Sequence, residues 1–222
     1  MNAKVGNTSS NDRITPRHGQ AAESLTEHLL NRMAILAEQH VFNNLAHIRR
    51  VSLFSKQIAL HLGLDRKAAT TLANAARLHD IGMIHVPAAI PRKATALTAS
   101  EKSCLQGHVA AGLRLVGRKR DPLIQTARAV IAGHHERHDG SGYPDGLTGD
   151  AIPLEGRIVA IADTFDALCT PKPYRRHTDP ETAISVIING GTGLHFDPAI
   201  IKAFSACRRQ LIEICGRLPH RY

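Results

Sequence analysis

Residues 134–146, with the sequence HHERHDGSGYPDG, place three histidines and a glutamate within five positions and then continue into glycine, proline and aspartate. Imidazole nitrogens and carboxylates are common metal ligands. The second half of the stretch has the residues that favour turns, which a helix does not tolerate. We therefore expect a helix to end at the paired histidines, where it presents them to a metal, and a functional loop to follow at once.

Apolar residues recur at helical spacing on both sides of this stretch, and no segment has the alternation of a strand. A capping box from Thr98 to Glu101, and a proline directly after Asp121, mark two of the helix starts. The expected helices cover about 21–40, 42–62, 65–79, 98–116, 121–135, 155–169, a segment from 179 onward, and 197–216. These patterns predict an all-α, single-domain bundle of about seven or eight helices.

The composition is typical of a globular protein, with 43% hydrophobic and 21% charged residues in 222 positions. No apolar run reaches the roughly 18 residues of a membrane span, and the first residues lack the apolar core of a secretory signal. We therefore expect a cytoplasmic protein with no membrane partner. Its four cysteines form no CxxC pair, which favours reduced, mostly buried thiols over a disulfide framework or a zinc finger.

The formal net charge of +9 suits an anionic partner. The basic residues occur in short groups, and aromatic residues make up only 4% of the chain, which disfavours a stacking platform for single-stranded nucleic acid. A small phosphorylated ligand fits this charge equally well, and we predict no DNA partner.

Further histidines and aspartates interrupt otherwise apolar helices. Asp163 lies in the most hydrophobic one, where a buried carboxylate is costly unless it is paired or binds a metal. The full set comprises His47, His79, Asp80, His108, His134, His135 and Asp163. Five histidines and two aspartates from five helices predict a dinuclear nitrogen and oxygen site in the bundle core. Because thiolates are absent, iron, manganese or a similar divalent metal fits better than structural zinc.

Two metal ions held in this way usually serve hydrolysis at phosphorus, because they activate water and stabilise an in-line displacement. The residues also resemble a known family, the HD-GYP domains, which are metal-dependent phosphohydrolases of the HD superfamily that cleave cyclic di-GMP. The resemblance covers about residues 42–204 and consists of these motifs in order: HIRRV, HDIG, a histidine in the next helix, HHERHDGSGYPDG, GRIVAIADTFDAL, PYR and HFDP. One such motif would be weak evidence, whereas the ordered set is highly specific.

The resemblance implies an HD-domain-like helical fold and an enzyme of bacterial second-messenger signalling, which hydrolyses cyclic di-GMP to linear pGpG or to GMP. It assigns the seven histidines and aspartates as ligands of two divalent ions, with iron expected and manganese as the alternative. Within that set it makes His79 and Asp80 the catalytic residues.

The resemblance also implies residues that contact the substrate. Gly142, Tyr143 and Pro144 match the signature loop, which lines the site and contacts the nucleotide or a partner protein. Lys172 and Arg175 match basic residues that contact substrate phosphate. We therefore expect a cyclic dinucleotide as the ligand, and a protein partner on the loop as a further expectation.

Two positions depart from the family pattern. Met83 stands where the HDIG motif usually continues with a lysine, so a cation expected beside the substrate phosphate is missing. Asn43 stands where some members carry a glutamate that helps to bind a third metal, so we expect two ions and not three. Slow or substrate-shifted catalysis is the expected effect of Met83, since one positioned electrostatic donor can be worth roughly 10²–10³-fold in rate.

Other functions stay open at this point. The first alternative is a catalytically impaired cyclic di-GMP receptor or protein-interaction module that contacts partners through residues 142–144. The second is a phosphodiesterase for another cyclic dinucleotide, such as cyclic GMP-AMP. The third is an HD phosphohydrolase of other nucleotides, against which the Gly-Tyr-Pro segment speaks. A homodimer is kept as an alternative to a monomer.

We divide the chain into a flexible tail at 1–20, an N-terminal helix at 21–41, the HD-GYP-like phosphohydrolase domain at 42–216 and a C-terminal tail at 217–222.

Supporting roles are expected for several residues near the motifs. Glu136 is expected either to orient a ligand histidine or to lie solvated at a helix end. Asp166 is expected to be a network partner on the helix face of Asp163. The remaining histidines near the motifs match no ligand position and are expected to be loop or supporting residues: His85, His138 and His195.

Overall fold

The computed structural model describes residues 18–41, 44–171, 178–191 and 195–218, which form ten α-helices and two short 3₁₀ helices. The α-helices are α1 (His18–Val41), α2 (Leu45–His61), α3 (Arg66–Ala76), α4 (Ala99–Gln106), α5 (His108–Val116), α6 (Pro122–Gly133), α7 (Leu154–Cys169), α8 (Pro180–Gly191), α9 (Pro198–Ala206) and α10 (Arg208–Arg217). The 3₁₀ helices are Ile81–His85 and Gly149–Ala151. The described residues form no β-strand and have only isolated bridge residues, such as the pair Asp139 and Thr148, which confirms the all-α prediction. No helix among them has the length and apolar character that crossing a bilayer requires.

Two of the predicted helices are each divided in two, which accounts for ten described helices in place of about eight. The segment at 98–116 turns at Gly107, and the segment at 197–216 turns at Cys207. Burial explains the first division, because α4 has no buried residue whereas α5 begins with the buried His108 and Val109. The division at Gly107 therefore separates an exposed helix from one that enters the core.

Capping hydrogen bonds confirm the two predicted helix starts. The Thr98 hydroxyl accepts the backbone N–H of Glu101 at 3.2 Å, and the Glu101 carboxylate accepts the N–H of Thr98 at 2.7 Å. The Asp121 carboxylate accepts the N–H of Ile124 at 3.1 Å, with Pro122 in the first turn. Each such cap typically contributes ~1 kcal/mol, so these residues define where α4 and α6 begin.

The central helix is α7, as its apolar sequence predicts. Phe165 in α7 is fully buried and packs edge to face on Phe54 of α2 and Phe204 of α9, with ring centroids 4.9 and 5.4 Å apart. Such aromatic pairs contribute about 0.5–1.5 kcal/mol beyond their buried area. Asp163 and Asp166, in the same helix, contact His47 of α2. The aromatic core therefore holds α7 in register with α2 at the point where their polar side chains meet.

The first helix, α1, buries a different face from the one that its leucines suggest. Leu25, Leu29 and Leu36 are 58%, 54% and 56% exposed. The buried face consists of Leu30, Ala34, Ala37, Glu38 and Val41. Alanines on this face let α1 pack closely on the 3₁₀ helix Ile81–His85, so the small side chains are buried and the leucines stay outside.

The glycine of the HDIG motif permits a close approach between two of the predicted ligand segments. A Cβ atom on Gly82 would lie 1.9 Å from the carbonyl oxygen of His108 and 2.5 Å from the amide nitrogen of Gly112. No larger residue fits at that distance, so Gly82 lets α5 cross directly over the 3₁₀ helix. This crossing brings His108 next to Asp80.

Candidate metal centre

The seven histidines and aspartates predicted as ligands come together at the ends and inner faces of five helical segments. His79 and Asp80 follow α3, His108 begins α5, and His134 and His135 follow α6. The remaining two are His47, in the first turn of α2, and Asp163, in the middle of α7. They form two groups, Asp80 with His108, His134 and His135, and His47 with His79 and Asp163, and the ligand atoms of each group lie within 4.8 Å of one another. Two neighbouring ion sites fit this arrangement.

Asp80 lies between the two groups. Its Oδ1 atom is 3.3 Å from His108 Nε2 and 3.4 Å from His134 Nε2, while its Oδ2 atom is 3.6 Å from His79 Nε2. On the other side, His79 Nε2 is 3.9 Å from Asp163 Oδ1. One carboxylate therefore offers an oxygen to each group, as a bridging ligand of two ions does.

Hydrogen bonds to backbone carbonyls set the tautomers of three histidines. The Nδ1–H group of His79 donates to the Ala76 carbonyl at 2.9 Å, and that of His108 donates to the Leu105 carbonyl at 2.7 Å. His134 Nδ1 lies 3.1 Å from the Val130 carbonyl oxygen. Because a carbonyl only accepts, Nδ1 carries the proton in each ring. The Nε2 lone pairs are left free to face the centre.

The buried polar atoms of this cluster lack partners that a metal would supply. His79 Nε2, His108 Nε2, His134 Nε2 and Asp80 Oδ1 are all buried, and none has a hydrogen-bond partner in the described residues. Burying such atoms without a partner costs about 1–3 kcal/mol each. A divalent cation would satisfy all four together, and a donor set of imidazoles and carboxylates suits such ions. The residues present therefore fit a metal centre.

A buried carboxylate orients His47. Asp166, 1% exposed, accepts a hydrogen bond from His47 Nδ1 at 2.8 Å and two from Arg50, whose Nε and Nη2 atoms lie at 2.5 and 3.0 Å. Burial alone would raise the pKa of Asp166, but the hydrogen bonds from His47 and Arg50 outweigh it and lower this pKa to about 2. An ionised Asp166 thus holds the His47 ring with its Nε2 atom toward Asp163.

Asp166 is the network partner that the sequence suggested, whereas Arg50 was missed. Arg50 is fully buried, and it lies three residues after His47, on the same helix face. The signal that could have identified Arg50 is its position as a basic residue within the apolar stripe of α2. Its guanidinium compensates the charge of Asp166 inside the core.

Charges within the cluster change two further pKa values. Burial alone would raise the pKa of Asp80, but the nearby His79, His134 and His108 hold it well below its usual range. Burial lowers the pKa of His135 well below its usual value, and the neighbouring His134 lowers it further. Asp80 is therefore ionised and His135 neutral at pH 7, which are the forms that bind a cation.

The Gly-Tyr-Pro loop lies directly on the ligand segment. A Cβ atom on Gly142 would lie 2.4–2.6 Å from backbone atoms of residues 135–137, so only glycine allows this contact. The Tyr143 N–H donates to the His135 carbonyl at 3.2 Å, and the two rings stack with centroids 4.6 Å apart. Pro144, joined to Tyr143 by a cis peptide bond, is exposed. Gly142 and Tyr143 therefore border the cluster, with Pro144 beside them at the surface.

Glu136 takes neither of its two expected roles. Its side chain is buried, with the residue 4% exposed, and it accepts the backbone N–H groups of Asp145 at 2.8 Å and Leu147 at 3.1 Å. These bonds hold the far side of the loop against the end of α6. The carboxylate therefore organises the loop instead of orienting a ligand histidine or facing solvent.

Met83 is close to the centre but packed into an apolar environment. It is 5% exposed and forms a small cluster with Val41 and Val86. It also lines a cavity that His79 and Asp80 share. The position is thus well placed for a cation near the centre, and the thioether cannot provide one.

Three other residues that the sequence analysis singled out lie outside the described residues: Asn43, Lys172 and Arg175.

The same cavity is also lined by a carboxylate, Glu38, that the sequence did not single out. Glu38 of α1 is 6% exposed, and its Oε1 atom has no hydrogen-bond partner among the described residues. Burial raises the pKa of Glu38 to about 7. The only signal for Glu38 in the sequence was its helical spacing from Ala34 and Ala37, which places the three residues on one face of α1.

Comparison with known proteins agrees with this geometry. A family model described as "HD domain" matches residues 19–200. The chain is 38% identical over 188 residues to the cyclic di-GMP phosphodiesterase response regulator RpfG of Xanthomonas campestris pv. campestris, covering 85% of this chain and 50% of that protein. It is 39% identical over 176 residues to the 3'3'-cGAMP-specific phosphodiesterase 2 of Vibrio cholerae, covering 78% of this chain and 33% of that protein. The chain thus spans half or less of the length of these two curated relatives.

Two solved structures share the fold. One is an HDG"Y"P protein from Bdellovibrio bacteriovorus, with a TM-score of 0.59 and 20% identity, covering 86% of this chain and 63% of that one. The other is a cyclic GMP-AMP specific phosphodiesterase of V. cholerae, with a TM-score of 0.58 and 18% identity, covering 88% of this chain and 51% of that one. At these identities the likeness shows the helical architecture alone.

Proposed function

Since the chain belongs to the HD domain family, and to its HD-GYP branch, we propose that it is a metal-dependent phosphodiesterase that hydrolyses cyclic di-GMP to pGpG or GMP. The observation that carries the proposal is the pair of ligand groups joined by Asp80, with buried imidazole nitrogens that lack hydrogen-bond partners among the described residues. The relatives are named for cyclic di-GMP or cyclic GMP-AMP, so cyclic GMP-AMP is the alternative substrate.

We assign one ion to each ligand group. The first group is His47, His79 and Asp163, and the second is Asp80, His108, His134 and His135. Iron is the metal we propose first and manganese is the alternative, because both accept imidazole and carboxylate donors. When bound, such ions lower the pKa of water and offset the charge that develops on phosphate. Asp80 and His79 are the proposed catalytic residues, since their side chains face each other where the groups meet.

The loop and the basic residues supply the proposed substrate contacts. Tyr143 stacks on the ligand His135, so a nucleotide at the metal centre would also meet the loop of Gly142, Tyr143 and Pro144. Lys172 and Arg175 are proposed as phosphate contacts because of their match to the family pattern and the net charge of +9. A protein partner on this loop, a homodimer and a cytoplasmic location remain predictions.

A turnover assay on the full chain, reconstituted without oxygen with iron or manganese, tests the proposal. We expect cyclic di-GMP to yield pGpG or GMP, and Asp80→Asn to lower the rate by at least about 100-fold because it removes the charge between the two groups. Glu155→Gln, which removes a carboxylate from the first turn of α7 outside both ligand groups, should keep the wild-type rate. Metal-loaded wild-type protein that hydrolyses neither cyclic di-GMP nor cyclic GMP-AMP would refute the proposal.

A cyclic di-GMP receptor or protein-interaction module is the second candidate. Met83 favours it, because this buried thioether takes the position of the family lysine. Such a protein would bind cyclic di-GMP without turning it over. Calorimetric titration followed by chromatography of the nucleotide separates the two candidates, since binding with intact nucleotide indicates a receptor.

A further inference from the structure

Glu38 is a buried carboxylate that no proposed ligand or substrate contact uses. It is 6% exposed, and its Oε1 atom has no hydrogen-bond partner in the described part of the chain. An ionised carboxylate in such a place costs several kcal/mol unless a cation or a donor compensates it. Buried polar groups without partners are rare in native proteins. A polar partner in the bound form of the protein would therefore stabilise the ionised Glu38.

The cavity beside Glu38 leads to the metal centre. Its walls include Glu38, Arg77, His79, Asp80 and Met83. Burial raises the pKa of Glu38, while the charge of His47 lowers it and that of Asp80 raises it. The carboxylate thus lies in the electric field of both ligand groups, on the side of the centre that α1 covers.

The first ligand group has three side chains of its own, His47, His79 and Asp163, and the Asp80 oxygen that faces His79 would be its fourth donor. A six-coordinate ion held by four protein donors keeps positions for water. His79 of this group lines the same cavity as Glu38, so water on this ion would lie on the side of Glu38.

The charge balance of the centre points the same way. Two divalent ions carry four positive charges, and only Asp80 and Asp163 among the ligands are anionic. Asp166 does not reduce the excess, because Arg50 already pairs with it. A further carboxylate at short range would lower the net charge by one unit and stabilise the loaded centre.

We propose that Glu38 is an eighth side chain of the metal centre, a positioning residue that accepts hydrogen bonds from water beside the ion of the His47, His79 and Asp163 group and thereby raises that ion's affinity. Its oxygens belong to neither set of atoms that converge within 4.8 Å, so we assign Glu38 to water beside the ion and not to direct ligation. The inference rests on the metal centre of the proposed function and does not depend on the substrate.

Binding of Mn²⁺ to the metal-free full chain, followed by electron paramagnetic resonance, tests the role of Glu38. We expect the wild-type chain to bind two ions in separate steps, and Glu38→Gln, which keeps the shape and removes the charge, to weaken one step by about 10–100-fold. The other step should be unchanged. Glu27→Gln is the matched control, because Glu27 lies in the same helix and accepts a hydrogen bond from Asn74 at 2.7 Å; it should bind as the wild type does.

The outcomes separate this inference from the proposed function. Identical binding curves for the wild type and Glu38→Gln overturn the inference and leave the proposed function in place. An equal loss in both steps also overturns it, because it contradicts the assignment to one ion. A wild-type chain that binds no Mn²⁺ removes the metal centre, and both proposals fall. Circular dichroism checks the fold, and Glu38→Met, a neutral chain suited to an apolar wall, repeats the test if the Gln variant does not fold.

Discussion

At the scale of single residues, Met83 connects packing and chemistry. Its side chain fills an apolar cluster with Val41 and Val86, and it shares a cavity with Glu38. A lysine at this position would bury an ammonium group, which is costly without a partner. Glu38 lines the same cavity and would offer that partner, so we expect the position to accept a lysine.

We expect Met83→Lys to raise the turnover of cyclic di-GMP by roughly ten-fold or more, because the ammonium would stabilise charge that develops on the phosphate. The melting temperature should fall less than in the double variant Met83→Lys/Glu38→Gln, in which the ammonium has lost its partner. Steady-state kinetics and thermal unfolding measure both effects. Met83→Leu, which keeps an apolar side chain of similar volume, should retain the wild-type rate. A folded, metal-loaded Met83→Lys protein without a gain in turnover would show that Met83 does not limit catalysis.

Residue types predicted the clustered side chains well, because imidazoles and carboxylates inside apolar helices have few roles other than ligation or pairing. The structure brings all seven into two groups. Arg50 and Glu38 escaped recognition, since a charged residue on an amphipathic helix normally faces solvent. Only tertiary packing reveals that they are 0% and 6% exposed.

At the scale of elements, the loop after α6 depends on one contact between backbones. Gly142 approaches residues 135–137 so closely that a Cβ atom would meet backbone atoms at 2.4–2.6 Å. Glu136 holds the other end of the loop through the N–H groups of Asp145 and Leu147. The loop is thus joined at both ends to the segment that carries the histidines.

We expect Gly142→Ala to destabilise the protein by about 1–3 kcal/mol, because backbone atoms on both sides must move apart. The shift would separate Tyr143 from His135, so turnover should fall more than stability alone explains. Gly190→Ala in α8 is the matched control, since nothing lies within 4 Å of its added Cβ; a small gain in stability is expected there. Urea unfolding and steady-state kinetics provide the two measurements. Equal effects of the two substitutions would contradict the proposed role of the contact.

Helix positions and starts could be predicted from the sequence, because spacing and capping residues act locally. The divisions at Gly107 and Cys207 could not, since the apolar spacing continues across both turns. At Gly107 the difference lies in burial, because α4 has no buried residue whereas α5 begins with the buried His108. The sequence also could not show that leucines of α1 are exposed, because they recur at the same helical spacing as core residues.

At the scale of the whole molecule, metal binding is linked to stability and to pH. Burial alone would lower the pKa of His47, but the hydrogen bond and charge of Asp166 outweigh it and raise this pKa to about 10 in the metal-free protein. Because that exceeds the usual value near 6.5, the protonated His47 stabilises the metal-free fold fully below about pH 6.5. The contribution is lost as the pH rises toward 10. A metal requires the deprotonated ring, so its affinity rises over the same window.

We therefore expect the gap in melting temperature between Mn²⁺-loaded and metal-free protein to widen from pH 6.5 to pH 8.5. Thermal unfolding with Mn²⁺ or with a chelator, at several pH values, measures this gap. A free ion concentration of 100 times Kd should add about 2.7 kcal/mol of stability. His47→Gln should flatten the pH dependence, whereas His61→Gln, a change in an exposed side chain at the end of α2, should preserve it. A gap that does not change with pH would contradict the link to His47.

The two ligand groups also differ in when the ribosome completes them. The group of Asp80, His108, His134 and His135 has all its residues once position 135 has been synthesised, while the group of His47 and His79 waits for Asp163 in α7. Because α7 is also the central helix of the core, a chain shortened before α7 loses both Asp163 and the packing of Phe165 on Phe54 of α2. We expect such a chain to lack a complete first ligand group.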